Sequence, residues 1–181
     1  MSDVASADLM TIDPQLLRTL LRHQASTVTV VTAPGTPAGT PPAGFTATSF
    51  TSVSLAPPLV SFCLDRASSS WPTVARAEHV AVHLLAHTQL DLARTFATSG
   101  IDRFAPPTVW RAGPHGVPVL DGALAWLVCR VVDRVVAGDH AVVLTEPLIA
   151  QHGSADSPLL YHQGRYACLA PLVPLSGTAA V

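Results

Sequence analysis

The sequence predicts a mainly β protein with peripheral helices, built as an antiparallel barrel. Three observations carry this reading. Residues 123–152, "ALAWLVCRVVDRVVAGDHAVVLTEPLIAQH", hold two long β-branched segments around the turn residues Ala-Gly-Asp, which is the pattern of a hairpin. Further short β-branched or apolar runs recur along the chain, enough for many strands. The two or three helical patterns do not alternate regularly with those runs, which disfavours a doubly wound parallel sheet.

The elements follow in order. Residues 1–12 read as a disordered tail. In "DPQLLRTLLRHQ", Asp13 is placed to cap a helix with Pro14 at its first position. Leu16, Leu17, Leu20 and Leu21 form one apolar stripe on that helix. "STVTVVT" (26–32) alternates and is β-branched, so it predicts a strand. A Pro/Gly loop, "APGTPAGTPPAG", leads into "FTATSFTSVS" (45–54), six hydroxyl residues in ten positions without charge, Gly or Pro. Its aromatic and β-branched spacing suits an extended segment. "LVSFCL" (59–64) predicts a buried strand. "SSSWPTVARAEH" opens a helix with Ser69 or Ser70 as cap and Pro72 in the first turn. "HVAVHLLA" (79–86) alternates as a strand. "TQLDLARTFATSG" places Thr88 and Asp91 at capping-box spacing, with Gly100 as the stop. "LLYHQGRYACL" predicts two short strands around Gln163-Gly164. The chain organises as one domain over residues 13–170 with tails at 1–12 and 171–181.

Composition excludes several classes of function. The chain has 181 residues and a net charge of -2, with ten Arg, no Lys and no Asn. No basic cluster exists, so nucleic acid is not an expected partner. No run of 18 apolar residues exists, so no membrane span is expected. The N-terminal residues lack a charged segment followed by an apolar one, so no secretory leader is expected and the expected location is cytoplasmic. Cys63, Cys129 and Cys168 are far apart in apolar runs and read as reduced core residues. With 49% hydrophobic and 12% charged residues, some surface is expected to be hidden in an oligomer.

Few motifs carry chemistry. His79, His83 and His87 are four apart, but they lie on a strand pattern without H-E-x-x-H, so they read as exposed-face histidines and no metal site is expected. No G-x-S-x-G elbow, Walker loop or dinucleotide fingerprint is present. "RASSSWPTV" (66–74) is different: three serines stand at a helix start after a buried strand, and N-capping needs only one of them. "GIDRF" (100–104) adds Arg103 beside an aromatic. "AGDHAVV" (137–143) puts His140 at the head of a strand.

These pieces in this order resemble the flavin reductase-like, FMN-binding split-barrel family. The resemblance runs from about Ile12 to Leu169. Its most specific parts are "FTATSFTSVSLAPPLVSFCLDRASSSWP" and the Gly-Asp-His turn taken together. It implies a Greek-key split barrel, commonly a homodimer, in which NADH or NADPH reduces FMN or FAD. The reduced flavin would then supply a partner monooxygenase.

The resemblance also assigns residues. Thr46, Ala47, Thr48, Ser49, Phe50 and Ser52 would line the isoalloxazine ring. Cys63, Leu64 and Asp65 would end a strand beside the ring and ribityl chain. Ser69 and Ser70 would hold the phosphate with help from Arg103, and Phe104 would close one wall. His140 would stand at the nicotinamide side with Tyr166 nearby. Neutral hydroxyls suit a ring with several acceptors and one N–H, and hydride transfer needs face-to-face approach more than a strong base. Family members often carry Asn where Thr48 stands, Gly at Thr27 and an aromatic at Gln24. Two other readings of the same barrel are a non-catalytic flavin carrier or sensor, and a related oxidase.

Overall fold

A computed structural model describes residues 12–36, 39–153 and 156–170. Both expected tails, apart from Ile12, lie outside those residues. Helix α1 (Pro14–Leu21) starts as the sequence predicts, with the Asp13 carboxylate accepting from the Gln15 N–H at 3.1 Å. The 26–32 run is two strands rather than one, β1 (Ser26–Thr27) and β2 (Thr29–Ala33). Then come β3 (Ala43–Ala47), β4 (Thr51–Leu55), β5 (Pro58–Asp65), the one-turn α2 (Trp71–Val74), β6 (His79–Leu84) and α3 (Leu90–Ala97). The second half is mainly strand, with a 3-10 turn (Pro114–Gly116) between the first two: β7 (Trp110–Ala112), β8 (Pro118–Leu120), β9 (Ala125–Ala137), β10 (His140–His152), β11 (Leu159–His162) and β12 (Arg165–Cys168).

The main sheet has seven strands in the order β3-β2-β6-β9-β10-β5-β4, every pair antiparallel. Chain connectivity forces it to curl. β3 and β4 are its two edges, yet only residues 48–50 join them. Four Cα steps reach about 15 Å. A flat sheet would hold those edges about 29 Å apart, six spacings of ~4.8 Å. The sheet therefore wraps until its edges nearly meet, and "FTATSFTSVS" is the crossing: strand, corner, strand. Ser49 sits in the corner and stitches the gap. Its Oγ accepts from the Cys63 N–H at 2.9 Å and lies 3.4 Å from the Cys63 carbonyl.

Inside the curl, Val31, Phe45, Val60, Phe62, Leu64, Val80, Val82, Cys129 and Val143 pack together, with Phe50 and Trp71 against them. One part of the outer face is covered by α3 and β11, where Val28, Val30, Leu85, Phe96 and Leu120 meet, with Phe104 and Tyr166 at the margin. Another is covered by the β7–β8 hairpin over Ala81, Trp126 and Val128. The β11–β12 turn has Gln163 and Gly164 both at positive φ, the conformation a tight two-residue hairpin requires.

Three expectations are corrected. His83 is not on an exposed face. It is fully buried, because β6 is a central strand covered on both sides. Cys168 is exposed, while Cys63 is half-buried and only Cys129 is a core residue. The N-cap of α3 is Gln89, not Thr88. Gln89 accepts from the Ala86 N–H at 3.1 Å and donates to the Asp121 carbonyl at 2.8 Å.

Candidate functional site

The seam of the curled sheet opens into a cavity of about 390 Å³. The end of β3 and the corner give it Thr46, Ala47, Thr48 and Ser49. The end of β5 gives Cys63, Leu64 and Asp65. His140 heads β10 directly opposite Asp65 in the sheet register, so the β9–β10 turn brings it to the same rim. Arg103 enters from the loop after α3. Residues far apart in sequence converge because the curl brings the end of β3 and its corner against the end of β5, where Ser49 bonds Cys63, and His140 pairs with Asp65 at that same end of β5.

The hydroxyls are not equivalent. Thr46 donates to the Ala93 carbonyl at 2.7 Å, tying β3 to α3. Ser49 is engaged with Cys63. Ser54 accepts from the Ala56 N–H at 3.2 Å, inside its own turn. Thr48 is exposed, and among the described residues its hydroxyl has no partner, so it is available to a ligand. Ser52 stands on β4 beyond the corner, and Phe50 packs into the interior cluster. Neither lines this cavity. Tyr166 packs beside Tyr161 and the α3-facing cluster, away from His140's cavity.

Arg103 is held by its surroundings. Its Nε donates to the Thr98 carbonyl at 2.9 Å, and Nη1 donates to the Gly44 carbonyl at 2.9 Å and to Ser70 Oγ at 3.0 Å. Burial lowers its pKa from the ordinary arginine value. The Ser70 hydroxyl donates to the same Gly44 carbonyl at 2.9 Å and does not cap α2. Ser69 is the exposed serine, 3.5 Å from Nη1. Arg103 also lines a wider cavity of about 640 Å³ with Ser69, Ser70, Ile101, Phe104 and Trp110.

His140 Nδ1 lies 2.7 Å from the Asp139 carboxylate. That hydrogen bond is the main reason the Asp139 carboxyl sits below its ordinary range. It also places the ring's proton on Nδ1, leaving Nε2 as the other polar atom. Burial pushes the Cys129 thiol up to about 11, out of thiolate chemistry at neutral pH. Among the described residues no group of three His, Cys, Asp or Glu is arranged for a metal ion. Sequence reasoning missed Phe45, Ser68, Phe96, Ala97 and Ser99 as cavity residues. Phe45 was within reach of inspection, as the residue preceding Thr46. Phe96 and Ser99 enter only because α3 packs across β3.

A curled antiparallel sheet with a hydroxyl-bordered cavity that holds one guanidinium, one carboxylate and one imidazole is suited to receive a polar ligand with an anionic group. Residues 21–170 match the model of the flavin reductase like domain, and the chain belongs to that family. It is 44% identical over 159 residues to an NADH:FMN oxidoreductase of Rhodococcus qingshengii, covering 86% of this chain and 81% of that one. It is 37% identical over 163 residues to the reductase component of a 4-nitrophenol 4-monooxygenase/4-nitrocatechol 2-monooxygenase of Rhodococcus opacus, covering 90% and 85%. Among solved structures it resembles an NADH:FAD oxidoreductase of Streptomyces globisporus C-1027 in complex with NAD and FAD fragments. The TM-score there is 0.81 and the identity 34%, over 90% of this chain and 98% of that one.

Proposed function

We propose that this chain is an NAD(P)H:flavin oxidoreductase that passes hydride from NADH or NADPH to FMN or FAD and supplies reduced flavin to a partner monooxygenase. The observation that carries this reading is the seam cavity, which unites Thr48, Ser49, Cys63–Asp65, Arg103 and His140 in a member of the flavin reductase family. The donor set fits a flavin. Hydroxyls and backbone groups match ring carbonyls and nitrogens without fixing one charge state, and Arg103 with Ser69 matches a phosphate. Flavin supplies the hydride acceptor. The chain's own residues bind and orient: Thr48 borders the ring region, Arg103 neutralises the anionic tail, and His140, oriented by Asp139, presents its imidazole at the rim. The wider cavity beyond Arg103, with Phe104 and Trp110 on its wall, leaves room for the adenylate part of FAD.

Several finer points belong to the same reading. The sheet is a Greek-key split barrel, with the 48–50 corner at the split, and residues 13–170 form one domain. The protein works as a homodimer in the cytoplasm. Supporting a dimer, α1 exposes Leu16, Leu17, Leu20 and Leu21, and the far half of β9 exposes Val132, Val135 and Val136. No helix among the described residues is long and apolar enough to cross a membrane. One assay tests the function: purified protein in air with FMN or FAD and NADH or NADPH. Catalysed loss of absorbance at 340 nm in at least one of the four pairings is expected. No loss in any pairing overturns the reading.

A further inference from the structure

A second cavity, of about 290 Å³, adjoins the seam cavity, and Thr48 lines both. Its other walls include Arg18 of α1, Arg22 at the cap that ends that helix, Ser26, and Tyr161 and Gln163 of the β11–β12 hairpin. The two arginines are four apart, so they share one face of the helix. The helix end is tied to the hairpin, because the Gln163 N–H donates to the Arg22 carbonyl at 3.0 Å. Among the described residues neither guanidinium lies within ion-pair distance of a carboxylate. Arginines near a helix C-terminus are favoured by its dipole. That accounts for their place on the helix, not for their convergence on a cavity beside Thr48.

Resting on the proposed reductase function, we propose that Arg18 and Arg22 bind the pyrophosphate of the nicotinamide coenzyme and so hold its nicotinamide over the seam cavity. The argument is one of charge and place. A flavin phosphate and a coenzyme pyrophosphate each need cations. Arg103 is committed to the Ser69–Ser70 side. Arg18 and Arg22 are the arginines lining the adjoining cavity. A coenzyme anchored there would cross Thr48 to reach the ring. Guanidinium pairs bind phosphate oxygens through several parallel N–H donors, which a single lysine cannot reproduce.

The test measures KM for NADH and NADPH at saturating flavin, and flavin Kd by fluorescence, for wild type, Arg18→Gln, Arg22→Gln and the double variant. The double variant is expected to raise coenzyme KM at least tenfold with flavin Kd unchanged. Because α1 is exposed, each single variant should fold, and each should show part of the rise. In wild type, coenzyme KM should climb with salt between 20 and 300 mM. Three results overturn the proposal: an unchanged coenzyme KM, as expected of ordinary solvated surface arginines; a weakened flavin Kd with coenzyme KM intact, which assigns the arginines to the flavin diphosphate; or a salt-independent wild-type KM. Absence of turnover in wild type instead sinks the reductase reading itself, so the two failures are distinguishable.

Discussion

Ser70 Oγ and Arg103 Nη1 lie 3.0 Å apart, and both bond to the Gly44 carbonyl at 2.9 Å. This relationship divides the labour within the serine cluster. Ser70 is 1% exposed, its proton is spent on Gly44, and its lone pair takes Arg103. It positions the guanidinium. Ser69 is exposed and faces the same cation. Ser69→Ala should weaken FMN binding severalfold, leave riboflavin binding unchanged and leave Tm within a degree. Ser70→Ala should cost about 1 kcal/mol of stability, the net worth of a buried hydrogen bond. It should weaken FMN indirectly, through a loosened Arg103. Titration of both flavins with parallel thermal melts separates the two roles. Identical effects of the two variants on Tm and on both flavins would refute the division.

Gly44 is required at the centre of this arrangement for lack of space. A Cβ there would stand 2.5 Å from Phe96 Cε1. Phe96 is fully buried and packs edge-on against Phe104 with ring centroids 5.4 Å apart, so it has nowhere to turn. Gly44→Ala is expected to cost about 1–3 kcal/mol from overpacking, a Tm loss of several degrees. Phe96 also lines the seam cavity, so flavin affinity should fall in the same variant. A melt at the wild-type temperature would show that β3 shifts freely, against this account.

The hairpin of β9 and β10, the capped α1 and the β11–β12 turn were legible because each depends on local chemistry: β-branched runs, a capping Asp before Pro14, a turn glycine. His140 and Arg103 were legible as members of an ordered pattern. The burial of His83 was not. Alternation along β6 cannot tell an exposed face from a covered one when another element packs over it. The cover here is the β7–β8 hairpin, from a stretch without a clear strand signature. The spent hydroxyls of Thr46 and Ser49 were hidden for a related reason. Their partners, Ala93 and Cys63, are 47 and 14 residues away, and spacing within the hydroxyl run says nothing about them.

His83 predicts an acid dependence. Its Nδ1 lies 3.0 Å from the Val30 carbonyl, and its Nε2 accepts the Leu120 N–H at 3.0 Å. Both nitrogens are thus committed with the ring neutral, and protonating Nε2 would break the second bond. Burial lowers the pKa from 6.5 to about 4. The unfolded chain takes up the proton first as pH falls, so stability is lost from about pH 6.5 down to about pH 4, and no further below. The loss is roughly 3 kcal/mol over that window. His83→Leu cannot titrate, but it leaves the Leu120 N–H without its acceptor, so it should be less stable than wild type at pH 7. The gap should narrow steadily as pH drops to 4.5. Urea melts at three pH values check this. A constant gap would mean that His83 contributes no acid sensitivity.

Thr48 is where flavin affinity and coenzyme access meet, since it lines both the seam cavity and the Arg18–Arg22 cavity. A threonine offers one hydroxyl at an exposed corner, whereas an asparagine offers a separate donor and acceptor that complement adjacent N–H and carbonyl groups on a ring edge. One added net hydrogen bond is worth about 0.5–1.5 kcal/mol, or roughly two- to tenfold in affinity. Thr48→Asn is therefore expected to tighten FMN and riboflavin by the same factor, because the change lies at the ring and not at Arg103. Ser49, not Thr48, makes the corner's side-chain hydrogen bonds, and Thr48 is exposed, so Tm should hold. Fluorescence titration with both flavins decides the matter. A gain confined to FMN would place the contact at the phosphate, and a loss for both would mean that the larger side chain obstructs the shared opening between the two cavities.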